Sequence, residues 1–471
     1  MLFNSLSFIF FLPVVVILYY LIPHHFRWII LLLASCYFYM TFIPVYIFIL
    51  FAIILVNFSA AISIEKAKKI FYKNIFFIAC LSFNVGILAF FKYWGSLNEF
   101  LNHFLKHFNH QTPAILMNLI FPIGLSFQIF QSMGYLLDVY YKKQTAERHI
   151  WIYALFVLFF PLQVAGPIER FSRLGGQFME KHTLKYENLA NGCRLILYGF
   201  FIKMVIADNL SFYVDQIFSM PKDYNSANII TSAFLYSFQI YSDFYGYSLI
   251  AIGSAQLFGI RLIDNFKTPY LSKNIMDFWG RWHISLTSWL RDYLYTPLSL
   301  KFRYRGIFGV VLAVLITFGI SGLWHGAGFT FLIWGFLHGL FLLLEAGFNK
   351  LFNIKEKKKW TILTILNTLK TFIIVTALWI FFRCEDLTKT KQIFVSIAKN
   401  FTKKDTFSMD IKVWILLIFF ILMDVFFFNN RYDSWVSKKP VYVRWFTYSL
   451  LIFAIMVMSG VENTPFIYFK F

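Results

Sequence analysis

The sequence predicts an all-α protein that crosses a membrane many times, and three observations carry that prediction. Of its 471 residues 59% are hydrophobic and only 14% charged, against roughly 25% charged residues in a soluble domain. Apolar runs near the ~20 residues needed to span a bilayer recur from end to end. Lys and Arg collect in short connections between those runs, so the formal charge of +20 reads as the basic bias of cytoplasmic loops rather than a nucleic-acid surface. Attraction to anionic lipid head groups or phosphorylated ligands follows as a secondary effect. No period-two alternation suggests a membrane barrel.

The first run, near 5–22, lacks a basic leader and a small-residue cleavage site and is expected to be a retained span. Further spans are expected near 28–43, 45–64, 74–92, 115–138, 150–166, 191–207, 228–258, 305–323, 328–346, 363–382, 411–428 and 444–461. Short or re-entrant pieces are expected among them, giving roughly 11–13 membrane helices. Basic connections at Lys66–Lys73, Lys142–Arg148, Lys355–Lys359 and Arg431–Arg444 are expected to face the cytoplasm, with both termini outside. Residues 167–190 and 259–303 are too polar to span and read as amphipathic segments lying in the interface. The chain is expected to be a single membrane domain, with N-terminal helices over 1–140, a catalytic core over 141–346 and C-terminal helices over 347–471. Cys36, Cys80, Cys193 and Cys384 are far apart, which indicates neither a disulfide framework nor a zinc knuckle.

Three of the ten histidines fall outside polar stretches and helix ends: His283, His325 and His338. An ionisable side chain at membrane depth is costly and marks a functional site by default. In SGLWHGAGF, Gly322, Gly326 and Gly328 crowd around His325, and glycines there let a helix break. With an ordinary pKa near 6.5, a partly hydrated imidazole at such a break suits a general base on a hydroxyl. The competing reading is a histidine that bonds a neighbouring helix. In FWGRWHISLTSWLRDY, a helix would put Trp279, Trp282 and Leu286 along one face, with His283, Leu290 and, less closely, Thr287 along another. Arg281, Arg291 and Asp292 would meet head groups or a charged ligand; the competing reading is an interfacial anchor.

In WGFLHG, Gly335 and Gly339 have the spacing for close helix approach, so His338 reads first as an interhelical hydrogen-bonding group. Asp243 lies in an apolar aromatic run beside Tyr241, Tyr245 and Tyr247, whose hydroxyls could donate to it. Asp138, near a helix end, reads as interfacial. No H-E-x-x-H, G-x-S-x-G or P-loop spacing is present.

Taken together, PIGLSFQIFQSMGYLLDVYY, FPLQVAGPIER, QIYSDFYGYSLIAIG, DFWGRWHISLTSWLRDYLYTPL, SGLWHGAGFTFLIWGFLHG and WIFFRCEDL resemble the membrane-bound O-acyltransferase family. They are closest to its bacterial branch of alginate O-acetylases, with peptidoglycan O-acetyltransferases and teichoic-acid D-alanylation proteins as relatives. The resemblance implies a ring of helices around a central tunnel, in the bacterial cytoplasmic (inner) membrane. It implies that His325 is the principal catalytic histidine, that His283 is the second, and that His338 is less decisive; apart from the resemblance, Trp324, Asp243, Arg291 and Asp292 are expected to be supporting or structural. Gly280 stands where the family commonly has arginine, and PLQVAGP replaces its more usual P-x-LVAGP.

The implied reaction moves an acyl group, acetyl first, from cytoplasmic acetyl-CoA or an acyl carrier to a hydroxyl, with no bound cofactor. The acceptor would be an extracytoplasmic polysaccharide, alginate-like or peptidoglycan, reached through a periplasmic SGNH-type acetyltransferase partner. The alternatives are a D-alanyl or lipid O-acyltransferase and, in a different class, a transporter or flippase. The lack of an inverted repeat weighs against the last.

Overall fold

A computed structural model of the chain describes residues 1–107, 121–352, 361–384, 386–405, 407–428, 430–459, 466 and 467. Helices dominate these residues, and no strand occurs among them. In lipid every backbone polar group must be satisfied internally, which a helix does within one segment. Among the described residues, seven helical stretches are long and apolar enough to cross a membrane: Pro44–Lys66, Ile70–Gly95, Tyr186–Ser219, Arg303–His325, Phe329–Leu351, Ile362–Arg383 and Val441–Met458. Shorter apolar helices include Leu6–Leu21 and Ile150–Leu162. Many of these expose large apolar side chains outward, Leu6, Phe10, Phe308, Ile362, Phe446 and Met456 among them, as lipid contact demands.

The helices follow the expected spans, several with extensions. The expected 74–92 span lies within Ile70–His107. The expected 115–138 span begins outside the described residues and otherwise matches Leu125–Tyr140. The chain divides into two compact units, one covering Phe10–Thr183 and the other Leu184–Phe471 together with Leu2–Ile9.

In the first unit, Leu125–Tyr140 is buried over nearly its whole length. It starts at Gly124, whose φ of +73° and whose missing side chain are both required: a Cβ there would sit 1.6 Å from the Gln163 carbonyl oxygen. Asn57 and Asn84 exchange amide hydrogen bonds at 3.0 Å and so pin Ile47–Lys66 to Ile70–His107. Asp138 proves buried near the end of its helix, 3.9 Å from Lys143.

The second unit is built around Ser226–Leu257, 32 residues long and so about 48 Å. It is buried along nearly all of that length. Its serines, tyrosines and glutamine suit an interior helix better than a lipid-facing one. It packs on Tyr186–Phe200 through two glycine pairs. A Cβ on Gly199 would meet the Gly246 carbonyl oxygen at 2.7 Å, and one on Gly192 would meet that of Gly253 at 2.8 Å. The glycines recur every seven residues on both helices, so the two backbones touch along one seam. Just beyond the seam the partner helix loosens into a π-helical turn, Phe201–Ala207, which places Lys203 against the central helix. All three singled-out histidines belong to this second unit.

Candidate functional site

The Gly306–His325 helix ends at His325 because the next residue, Gly326, is extended. A Cβ on Gly326 would sit 2.1 Å from the Phe331 ring, so a larger residue there would have to displace that ring as the chain turns into Phe329–Leu351. The two helices then run back to back: a Cβ on Gly335 would meet the Phe318 carbonyl oxygen at 2.2 Å, and one on Gly322 that of Phe331 at 2.3 Å. The expected close approach at Gly335 and Gly339 is therefore present, with Gly339 against the Phe318 ring. His325 is left 5% exposed at the break.

An aromatic chain joins the three histidines. Trp324 stands 4.8 Å from His325 and 6.1 Å from His283, centroid to centroid. Trp334 stands edge to face with His325 at 5.1 Å and with His338 at 5.0 Å. Phe382 closes on His325 at 5.2 Å. His338 is fully buried, and its Nδ1 accepts from the Trp279 indole N–H at 3.3 Å. The bond ties Phe329–Leu351 to Ile275–Arg281 rather than to the helix across the glycine seam.

The segment around His283 departs from expectation. It is not one amphipathic interfacial helix: Ile275–Arg281 stops, His283 takes φ +43° and ψ +53°, and a new helix runs Ile284–Leu290. The cause lies outside these two helices, at Asn265. The Ile284 N–H donates to the Asn265 carbonyl at 2.9 Å. The Ser285 N–H donates to the Asn265 side chain at 3.2 Å. These contacts replace the hydrogen bonds a continuous helix would make, and they hold a left-handed non-glycine residue that costs energy by itself. Along this stretch Ile260, Leu262, Phe266, Tyr270, Trp282 and His283 are buried, while Arg261, Lys267, Met276, Gly280 and Arg291 are exposed. The His283 ring stands edge to face on Phe244 at 4.7 Å, and its Nδ1 lies 3.1 Å from Asn265 Oδ1. Burial holds this imidazole well below its ordinary pKa, at about 3.

Asp243 also differs from expectation. Its donors are Lys203 Nζ at 2.5 Å and the Ile467 N–H at 2.9 Å, not the neighbouring phenols. Lys203 bonds Asp208 as well, at 2.8 Å, and lies over the Phe466 ring. Tyr241 instead donates to Asp424 at 2.7 Å. The exposed Arg291 pairs with its neighbour Asp292 at 2.9 Å.

A polar cavity of about 550 Å³ lies in the same unit, with Ser248, Asn265, Lys267, Arg281, Asp424 and Arg431 in its wall. Arg281 is paired with Asp277 at 2.7 Å, and Arg431 with Asp264 at 2.9 Å. Lys267 makes no ion pair among the described residues. The histidines are not in the wall; Asn265 is, and it bonds His283.

Sequence reasoning missed Asn265, Lys203 and Asp424. Lys203 and Asp424 each interrupt an apolar run, and that alone is a signal that a partner is needed. Asn265 sits among other polar residues and carries no such signal.

The profile described as MBOAT, membrane-bound O-acyltransferase family, matches residues 140–384. The chain is 32% identical to a probable alginate O-acetylase AlgI of Pseudomonas putida, with 100% of both chains covered. It is 36% identical to that of Pseudomonas aeruginosa, over 82% of this chain and 73% of the relative. It is 35% identical to a peptidoglycan O-acetyltransferase of Helicobacter pylori, over 82% of this chain and 78% of the relative.

Proposed function

Because the chain belongs to the membrane-bound O-acyltransferase family, we propose that it is an O-acetyltransferase that draws acetyl groups from a cytoplasmic thioester and delivers them to an extracytoplasmic polysaccharide or peptidoglycan. The observation that carries the reading is the convergence of His325 and His283 on Trp324, with His325 at a glycine-crowded end of a membrane-crossing helix.

In this reading His325 is the general base. The acceptor hydroxyl attacks the thioester carbonyl carbon while its proton passes to the imidazole. The tetrahedral intermediate then expels the thiolate, the C–S bond breaks, and the imidazolium returns the proton to sulfur. One positioned acid–base group is worth about 10²–10⁴-fold, so orientation and stabilisation of the oxyanion supply the remainder. His283, neutral at working pH, would hold the donor through a hydrogen bond. Acetyl-CoA or an acylated carrier is the donor this chemistry takes. The polar cavity is the candidate entrance for its phosphates, with Lys267 as the cation not already committed to a carboxylate. A periplasmic SGNH-type acetyltransferase would complete the transfer, as the family resemblance implies, and the membrane would be the bacterial cytoplasmic one.

His325→Ala should abolish acetyl ester on the polymer while the amount of protein in the membrane is unchanged. Purified protein should consume acetyl-CoA, if only by slow hydrolysis, and the variant should not. Normal polymer acetylation by His325→Ala would end this reading, and a protein that moves glycan or carrier without cleaving a thioester would be a transporter instead.

A further inference from the structure

We propose that Asn265 is a positioning residue that fixes the tautomer and ring orientation of His283, leaving Nδ1 protonated and Nε2 as the basic nitrogen. The inference rests on the role given to His283 above. It begins with an atom assignment. Asn265 Oδ1 lies 3.2 Å from the Ser285 backbone nitrogen. A backbone N–H can only donate, so the side-chain atom facing it is oxygen, and the amide cannot be turned over. The same oxygen accepts from Ser285 Oγ at 2.9 Å. His283 Nδ1 lies 3.1 Å from it. Facing an atom that only accepts, Nδ1 must carry the proton, and the lone pair of the neutral ring is then on Nε2.

Burial makes the assignment strict. Asn265 and Ser285 are each 1% exposed and His283 is fully buried, so no bulk water can substitute for a lost acceptor. Backbone geometry adds to it, because Asn265 takes both Ile284 N–H and Ser285 N–H and so supports the left-handed turn at His283 from outside the helix. The carboxamide nitrogen faces the other way, 3.5 Å from Ser248 Oγ, and both residues belong to the cavity wall. Asn265 thus links the space proposed for the donor to the nitrogen that would address it. It touches no reacting atom; it acts through the imidazole.

The test compares Asn265→Leu, Asn265→Asp and His283→Ala in purified protein, reading kcat and donor KM for acetyl-CoA turnover across pH. Asn265→Leu removes the acceptor and should lower kcat about 10–100-fold, the usual cost of losing such an orienting partner, with donor KM changed less than about twofold. Asn265→Asp keeps an acceptor for all three donors and serves as the folding control. Its carboxylate stabilises the imidazolium, so the pH at which the His283 ring itself titrates, read by 15N NMR, should rise by about one unit. A plain helix-supporting role would leave that ring titration where it is in the parent, and that result overturns the proposal. So does Asn265→Leu with parental kcat. His283→Ala active at the parental rate would sink both the role of His283 and this inference, whereas failure of the inference alone leaves His283→Ala inactive.

Discussion

His325 and Trp334 meet edge to face with ring centroids 5.1 Å apart, and the same indole meets His338 edge to face at 5.0 Å. One tryptophan therefore touches both an imidazole at a helix break and one sealed between helices. That contrast assigns them different work. His338→Ala should lower thermal stability by about 2–4 kcal/mol, from a cavity and a lost Trp279 hydrogen bond, while activity per folded molecule falls far less than in His325→Ala. Thermal unfolding in detergent and turnover normalised to folded protein check both halves.

Lys203 is the only cation bonded to Asp243 among the described residues, and it also neutralises Asp208. Lys203→Met would remove the cation bonded to the buried Asp243 and should cost about 3–5 kcal/mol. Adding Asp243→Asn should recover part of that loss. Additive losses in the double variant, measured by thermal unfolding, would show that the pair is not coupled.

The glycine seam admits a sharp comparison. Gly246→Ala puts a methyl group 2.8 Å from the Gly199 carbonyl oxygen and should cost about 1–3 kcal/mol. Gly280→Ala has no atom within 4 Å of the new Cβ and should change stability by less than about 0.5 kcal/mol. Equal melting temperatures for the two variants would contradict the packing described.

His283 makes stability depend on pH in a definite direction. Its folded pKa of about 3 lies below the ordinary value of 6.5, so between those two values the unfolded chain binds the extra proton. Stability from this group is complete above about pH 6.5 and declines as pH falls toward 3, by at most about 1.4 kcal/mol per unit. His283→Gln should flatten the loss between about pH 6 and 4.5 relative to the parent, before the carboxylates titrate. Parallel stability curves over that window would refute the burial of a neutral ring.

The glycine-flanked histidine at 325, the glycine seam beside His338 and the positions of most helices were legible in the residue order. Each rests on a local rule: apolar length, small-residue spacing, or an ionisable group in an apolar run. The misread places are those where a distant segment intervenes. A helical periodicity over 278–293 is real, but Asn265, 18 residues before His283, supplies the acceptors that break it. The phenols flanking Asp243 are near in sequence, yet a lysine 40 residues away reaches it first.

From residue order alone came the solvent this chain must live in, the class of its fold and the imidazoles worth attention, because burial cost and helix length act within one segment. Tertiary structure alone decided which groups satisfy which. A buried carboxylate, amide or imidazole takes the nearest competent donor or acceptor in space, and that neighbour is set by how helices pack rather than by their order along the chain.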